Sequence, residues 1–213
     1  MIKLDEKLAE LIGIIIGDGF LDGKFGHYNI GIVGDPIKDK EYFEYVKGLI
    51  KSVCSKEVRI VHRFRGLRIT FGCKELFVEL TQKYNLPIGK GKCEKVVIPA
   101  QIICNWNLAK HTLRGIVDTD GSVFGADKKG SIQYPSIEIT TSSIKLAEQI
   151  RMILIKRGFR VANLWKYKSK NSSISSYKVP LNGYKNLGLW LSEIGFSNHS
   201  KLKRAKELIK NKK

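Results

Sequence analysis

The sequence predicts an α+β fold of two tandem α-β-β-α-β-β-α repeats with antiparallel sheets. Three observations predict it. An apolar stretch that breaks on an acid and a glycine occurs twice, as "LIGIIIGDGF" (11–20) and "LRGIVDTDGS" (113–122). Asp18 and Asp120 stand at matching places, 102 residues apart in a chain of 213. Each stretch is followed by strand-like segments around a segment of 3.6-residue apolar period. Paired short strands between single helices point to antiparallel sheets rather than a parallel α/β fold.

The elements follow in order. Leu8, Leu11, Ile12, Ile15 and Ile16 make the apolar side of a first helix. "HYNIGIV" (27–33) reads as a strand, and Tyr42, Phe43, Val46, Leu49 and Ile50 as an amphipathic helix. "EVRIVHRFRGLRITF" (57–71) reads as a hairpin turning near Gly66, and "KELFVELTQKY" (74–84) as a closing helix. In the second repeat Leu108, Leu113, Ile116 and Val117 mark the first helix, and "PSIEIT" (135–140) a strand. Ile144, Ala147, Ile150, Ile153 and Leu154 mark the amphipathic helix. "RVANLWKYK" (160–168) and "SSYKVPL" (175–181) are the next strands, and "YKNLGLWLSEI" (184–194) the closing helix. The predicted repeats therefore span 1–84 and 105–198, with 85–104 as linker. Residues 199–213 predict a Lys-rich helix with Leu202, Ala205, Leu208 and Ile209 on its apolar side. Each closing helix is trailed by a basic stretch.

Composition narrows the function. The chain is 43% hydrophobic, enough for a sizeable core. No stretch reaches the roughly 18 apolar residues of a membrane span. "MIKLDEKLAE" carries acids and lacks a signal-peptide layout, so a soluble, cytoplasmic protein is expected. Cysteines 54, 73, 93 and 104 make no C-x-x-C pair, and histidines 27, 62, 111 and 199 lie at no zinc-finger spacing, so free thiols are expected. Thirty-eight basic residues face 20 acidic ones, a net charge of +18. The excess is uneven: residues 1–100 hold 17 basic and 13 acidic residues, residues 101–213 hold 21 and 7. Such a charge favours a polyanion, because each neutralised phosphate releases counterions. No basic amphipathic helix dominates, which turns the reading from membranes to nucleic acid.

The repeated acids carry the chemistry. Gly13 and Gly17 lie four residues apart on one helix face, as do Gly115 and Thr119. Small residues at that spacing let two helices approach closely. If these helices pack through those faces, Asp18 and Asp120 meet at their C-terminal ends. A helix C-terminus carries about half a negative charge, so two carboxylates there repel. A hard divalent cation offsets the repulsion, since Mg²⁺ takes one or two carboxylates plus substrate phosphate. The last helical carbonyls are extra oxygen ligands. That combination suits phosphodiester hydrolysis, one acid per strand of a duplex.

Residues Leu11 to Gly19 ("LIGIIIGDG") and Leu113 to Gly121 ("LRGIVDTDG") resemble the two motifs of a LAGLIDADG homing endonuclease, in its two-motif, monomeric form. The resemblance covers nearly the whole chain. It implies a pseudo-twofold axis between the motif helices, with two saddle-shaped sheets straddling duplex DNA and reading its major groove. It implies Asp18 and Asp120 as catalytic residues on two or more Mg²⁺ ions, with Mn²⁺ as a substitute, and Gly17 and Thr119 as backbone carbonyl ligands. It also implies intron homing by a cut across the minor groove. The unlike halves imply a non-palindromic target. There are departures. The sixth motif position is Asp118 in the second repeat but Ile16 in the first, so a local hydrogen-bonding role is expected for Asp118. Asp35 and Ser142 stand where the family often has a basic residue. Either another lysine shapes the water network or catalysis is weak. No intein splicing blocks flank the motifs, so a free-standing enzyme is expected.

Candidate DNA contacts come from parity. Arg59, Arg63 and Arg65 share one parity of the hairpin, and Val58, Ile60, His62 and Phe64 the other. Arg68 and Thr70 alternate with Leu67, Ile69 and Phe71. Arginine suits guanine O6 and N7. His27 and Asn29 are further candidates on the first sheet. Lys166, Lys168 and Lys178 are candidates on the second, where parity leaves open whether they or Trp165 and Tyr167 face DNA. Lys128 and Lys129 suit phosphate. The tail from Lys201 to Lys213, with seven basic residues and one acid, adds non-specific affinity. Two rival functions share this fold and charge: a maturase acting on intron RNA, and a non-cleaving DNA-binding regulator.

Overall fold

Asp5 opens the first helix by accepting a hydrogen bond from the Leu8 N–H (2.9 Å), and the apolar run behind it has few polar faces to expose. In the computed structural model, which describes residues 2–63, 66–89, 91–128, 131–168 and 173–210, that helix is buried from Leu8 to Ile16. The first repeat runs α1 (Glu6–Ile16), β1 (Gly19–Asp22), a 3₁₀ turn (Lys24–Gly26), β2 (Asn29–Gly34), α2 (Lys40–Cys54), β3 (Ile60–Arg63), β4 (Gly66–Gly72) and α3 (Lys74–Val78), continued by a π-helical turn (Glu79–Lys83). Two short helices follow, α4 (Lys92–Lys95) and α5 (Ala100–Ile103). The second repeat runs α6 (Trp106–Asp120), β5 (Gly121–Lys128), β6 (Ser131–Thr141), α7 (Ile144–Lys156), β7 (Trp165–Tyr167), β8 (Ser176–Asn182) and α8 (Tyr184–Glu193). The last helix is α9 (His199–Lys210).

Both sheets are antiparallel with the same order, β1-β2-β4-β3 and β5-β6-β8-β7. The fold is α+β with two tandem repeats. In each sheet alternate residues pack on helices: Ile30, Ile32, Leu67 and Ile69 in the first, Ile137, Ile139, Val179 and Leu181 in the second. Tyr42, Phe43, Val46, Leu49 and Ile50 of α2 are all buried.

Four local expectations change. β3 begins at Ile60, because the last cross-strand pair with β4 is Ile60 with Ile69, so Arg59 lies outside the strand. Of residues 160–168 only Trp165–Tyr167 form a strand, and Val161 makes one isolated bridge to Leu181. The 85–104 linker contains two helical turns. Ile144 and Ile209 are exposed, because each sits at a helix end where packing neighbours run out.

The repeats meet along α1 and α6. A Cβ on Gly13 would overlap the Thr112 carbonyl, and one on Gly115 the Glu10 carbonyl. The Thr112 hydroxyl donates across the seam to Ala9 O (2.8 Å). The buried Glu10 carboxylate pairs with Arg114 and accepts from Tyr45 Oη (2.9 Å) and Ser197 Oγ (2.7 Å). A buried charge needs such partners, and here they come from both repeats. Among the described residues no helix is long and apolar enough to cross a membrane, and all four cysteines are free thiols.

Candidate active site

Each motif helix runs into an acid followed by glycine, and the glycine is there for one steric reason. The strand after the acid folds back against the helix's last turn. A Cβ on Gly19 would run into the Ile15 backbone, and one on Gly121 into the Val117 carbonyl. Gly17 serves the other helix: a Cβ there would overlap the Thr119 hydroxyl and lie 3.4 Å from the Asp120 carboxyl carbon. The Thr119 hydroxyl turns back to its own helix, donating to Gly115 O (2.9 Å) and Ile116 O (3.0 Å). The structure therefore brings Gly17, Thr119 and Asp120 together, with Asp18 beside them.

Two lysines complete the centre. Lys92 Nζ donates to Ile15 O (2.6 Å), Gly17 O (3.1 Å) and Gly19 O (2.6 Å) at the end of α1. Lys201 Nζ donates to Val117 O (2.7 Å), Asp118 O (2.8 Å) and Thr119 O (3.1 Å) at the end of α6. Each ammonium satisfies orphan carbonyls and opposes the negative helix end. Gly17 O and Thr119 O, expected as metal ligands, thus already accept from lysines. Neither lysine was singled out by its sequence context. The signal available was the basic stretch after each closing helix, which holds one such lysine per repeat.

Two clefts open beside the ends of the motif helices, the first of them lined by both acids. One of about 440 Å³ is lined by Gly17, Asp18, Lys92, Asp120, Thr141 and Ser142. The other, about 620 Å³, is lined by Thr119, Lys201, Arg204, Asp35, Asp39 and Ser122. Ser142 and Asp35, the departures from the expected basic residue, thus sit on opposite clefts. The exposed Asp35 carboxylate is held low by the backbone N–H groups of Lys38 and Ile37 (both 2.8 Å), so it shapes a turn.

The acids are under electrostatic stress. Burial, then the Asp18 charge, pushes Asp120 up to about 7. Burial, then Asp39, raises Asp18. Burial lowers Lys201, and lowers Lys92 to about 8, although Asp120 and Asp18 pull Lys92 upward. Asp118 is also pushed up to about 7, by burial, but faces away from the centre. One of its oxygens accepts from the N–H groups of Ser197 (2.7 Å) and Asn198 (3.1 Å). It therefore docks the start of α9, and Asn198 Nδ2 reaches on to Asp39 (3.1 Å).

The sheet registers sort the candidate DNA contacts. Opposite residues share a face, so the helix-free face of the first sheet carries Phe20, Asn29, Val61, Arg63, Arg68 and Thr70. Arg68 donates to Thr70 Oγ1 (3.0 Å) and lies 4.8 Å from the Phe20 ring centre. His27 is exposed just before β2. Arg59 lies apart, lining a pocket with Lys40, Glu44 and Lys47 beside α2. On the second sheet Trp165 pairs with Lys178, and Lys166 with Tyr177. Trp165, Tyr167 and Lys178 thus share the helix-free face, while Lys166 points to the other side. Lys168 is exposed beyond β7. Lys128 lies at the β5 tip, 4.4 Å from the Tyr134 ring centre. Arg65 and Lys129 lie outside the described residues.

Comparison with known proteins gives a consistent fold. Residues 108–207 match a family model described as a LAGLIDADG-like domain. The chain is 32% identical over 207 residues to a replication factor C small subunit of Methanocaldococcus jannaschii, covering 97% of this chain and 10% of that protein. It is 29% identical to the same subunit of Thermococcus kodakarensis, covering 97% of this chain and 21% of that protein. The chain thus spans about a tenth to a fifth of the length of these curated relatives. Among solved structures, variants of the homing endonuclease I-DmoI superpose with a TM-score of 0.63 at 16% identity, covering 92% of this chain and 97% of that one. A structure of I-DmoI with DNA and Mn superposes at 0.60 and 15% identity, covering 89% and 96%. Full-length DUF199/WhiA from Thermatoga maritima superposes at 0.61 and 20% identity, covering 98% of this chain and 61% of that one.

Proposed function

We propose that this LAGLIDADG protein, built from two repeats, is a site-specific, Mg²⁺-dependent endonuclease that cuts both strands of a long, non-palindromic DNA. One observation carries the reading. Asp18 and Asp120 converge where the two repeats meet, each beside its own buried, carbonyl-capping lysine. A purely structural helix seam has no use for two repelling carboxylates. One chain supplies both acids, so a monomer suffices. Homing of an intron is the role that the resemblance implies.

The residues fit Mg²⁺. The lysines spend their hydrogen bonds on carbonyl oxygens, which leaves the mutual repulsion of the two carboxylates for a metal to offset. Among the described residues no three His, Cys, Asp or Glu side chains form a cage. The paired acids suit an ion that takes one or two carboxylates and leaves room for phosphate and water. When bound, Mg²⁺ supplies acidified water and charge neutralisation at the phosphate. Asp18 and Asp120 would hold it. Lys92 and Lys201 place positive charge where a scissile phosphate gains negative charge. The basic exterior holds the DNA backbone.

A non-cleaving DNA-binding protein is the second reading, favoured by Asp35 and Ser142 on the cleft walls. A cleavage assay on a randomised duplex library separates the two. It is run with Mg²⁺, with Ca²⁺, and with Asp18→Asn. Discrete cuts that need Mg²⁺ and vanish in the variant support the endonuclease. Salt-sensitive retention of duplex without cuts supports the binder.

A further inference from the structure

The two sheets offer a duplex chemically different faces. In the first, Arg63 is exposed and Arg68 is aligned by Thr70 Oγ1 and the Phe20 ring. In the second, Trp165 is 61% exposed, Tyr167 48% and Phe124 37%, all on the helix-free side. Its central cation is already engaged: Lys178 Nζ lies 2.7 Å from Glu138 and 5.4 Å from the Trp165 ring centre. Yet the second half of the chain carries most of the positive charge. Part of it sits on α9, where Lys203 and Lys206 are exposed.

We infer that the two half-sites are read by different chemistry: Arg63 and Arg68 read guanine in the first, and Trp165, Tyr167 and Phe124 read thymine methyl groups in the second. The inference rests on the DNA-binding reading above. A guanidinium fork matches guanine O6 and N7, whereas an apolar ring in the major groove finds an apolar partner only in the thymine C5-methyl. Exposed rings on a solvated face gain from that contact, and an ion-paired lysine adds little discrimination. The occupant of the second face is thus duplex DNA rich in thymine, held by the surrounding cations. The target is asymmetric in composition as well as in order.

The test uses the intact protein with Ca²⁺ and a randomised duplex library. Bound sequences are selected, and the preferred duplex is then rebuilt with altered bases. Deoxyuridine in place of thymidine removes one methyl and nothing else. It should weaken binding about fourfold per contacted position in the second half-site, and leave the first unchanged. 7-Deazaguanine removes the N7 acceptor and should weaken binding by about tenfold in the first half-site, and leave the second unchanged. Trp165→Ala, at an exposed position, should erase the thymine preference of one half-site only. Equal deoxyuridine effects in both halves, no deoxyuridine effect, or guanine selection under both sheets would overturn the inference. Failure to retain any duplex would instead remove the DNA-binding reading beneath it. The deoxyuridine pattern intact with Ca²⁺, and no cutting of the same duplex once Mg²⁺ replaces it, would sustain the inference and refute the endonuclease.

Discussion

The centre of the molecule and its two sheet faces have followed opposite rules. At the centre, acid, glycine and capping lysine are duplicated: Asp18, Gly19 and Lys92 in one repeat, Asp120, Gly121 and Lys201 in the other. On the faces, arginines in one repeat stand against exposed rings in the other. The difference teaches where geometry constrains a protein. Two helices in backbone contact leave no room for variation, whereas a solvated face two strands away is free to change.

The most severe way to break the duplicated centre is to remove its acids. Asp18→Asn and Asp120→Asn should each lower double-strand cutting by about 1,000-fold or more, with duplex binding retained. Gel assays of cutting and retention read both. The same changes should raise the melting temperature of metal-free protein at pH 8, because each removes a charge that burial opposes. Loss of folding in either variant would show the acids to be structural.

Lys92→Met and Lys201→Met come next. Each leaves three carbonyls without their donor and withdraws the charge beside the acids. Cutting should fall by about 100-fold, and by similar amounts for the two if the centre is truly twofold. A large loss for one alone would show that the clefts act unequally, in keeping with Asp35 and Asp39 lining only the second.

Gly13→Ala and Gly115→Ala probe the seam. Each adds a methyl against backbone of the opposite helix and should cost about 1–3 kcal/mol. Urea midpoints measure it. A negligible cost at either position would mean that the helices sit farther apart than described.

The smallest effect sharpens the electrostatics. Asp118 and Asp120 have pKa values of about 7 in the folded chain, against about 4 when unfolded. Between those values the folded state binds more protons. Their contribution is therefore fully present below about pH 4 and lost as pH rises through about 7. Above about pH 8 the depressed Lys92 reverses the slope, since the unfolded chain then binds more protons. Metal-free melting temperatures should fall from pH 5 to 7.5. Added Mg²⁺ should raise them more at pH 7.5 than at 5, because protons compete for the same carboxylates.

Local patterning was enough to find α1, α2, α6 and their apolar stripes, the order of strands, and Asp18 with Asp120. Periodicity of two or 3.6 residues and glycine four residues from glycine are short-range signals. They survive because burial of one face of an element depends on residues within one or two turns. The small-residue faces even named Gly13 and Gly115, where backbone meets backbone. Other features depended on contacts that no window of sequence contains. Lys92 reaches carbonyls up to 77 residues away, and Lys201 up to 84. Asp118 has the hydrogen-bonding role expected of it, but its partner is an N–H 79 residues distant rather than a local one. Parity in β7 was undecided because a three-residue strand shows too little alternation. Its pairing with β8, through Trp165 and Lys178, sets which side chains face outward. Register is a property of two strands together, and a capping lysine is a property of how repeat and linker pack. Both are chosen by burial and hydrogen-bond satisfaction over the whole fold.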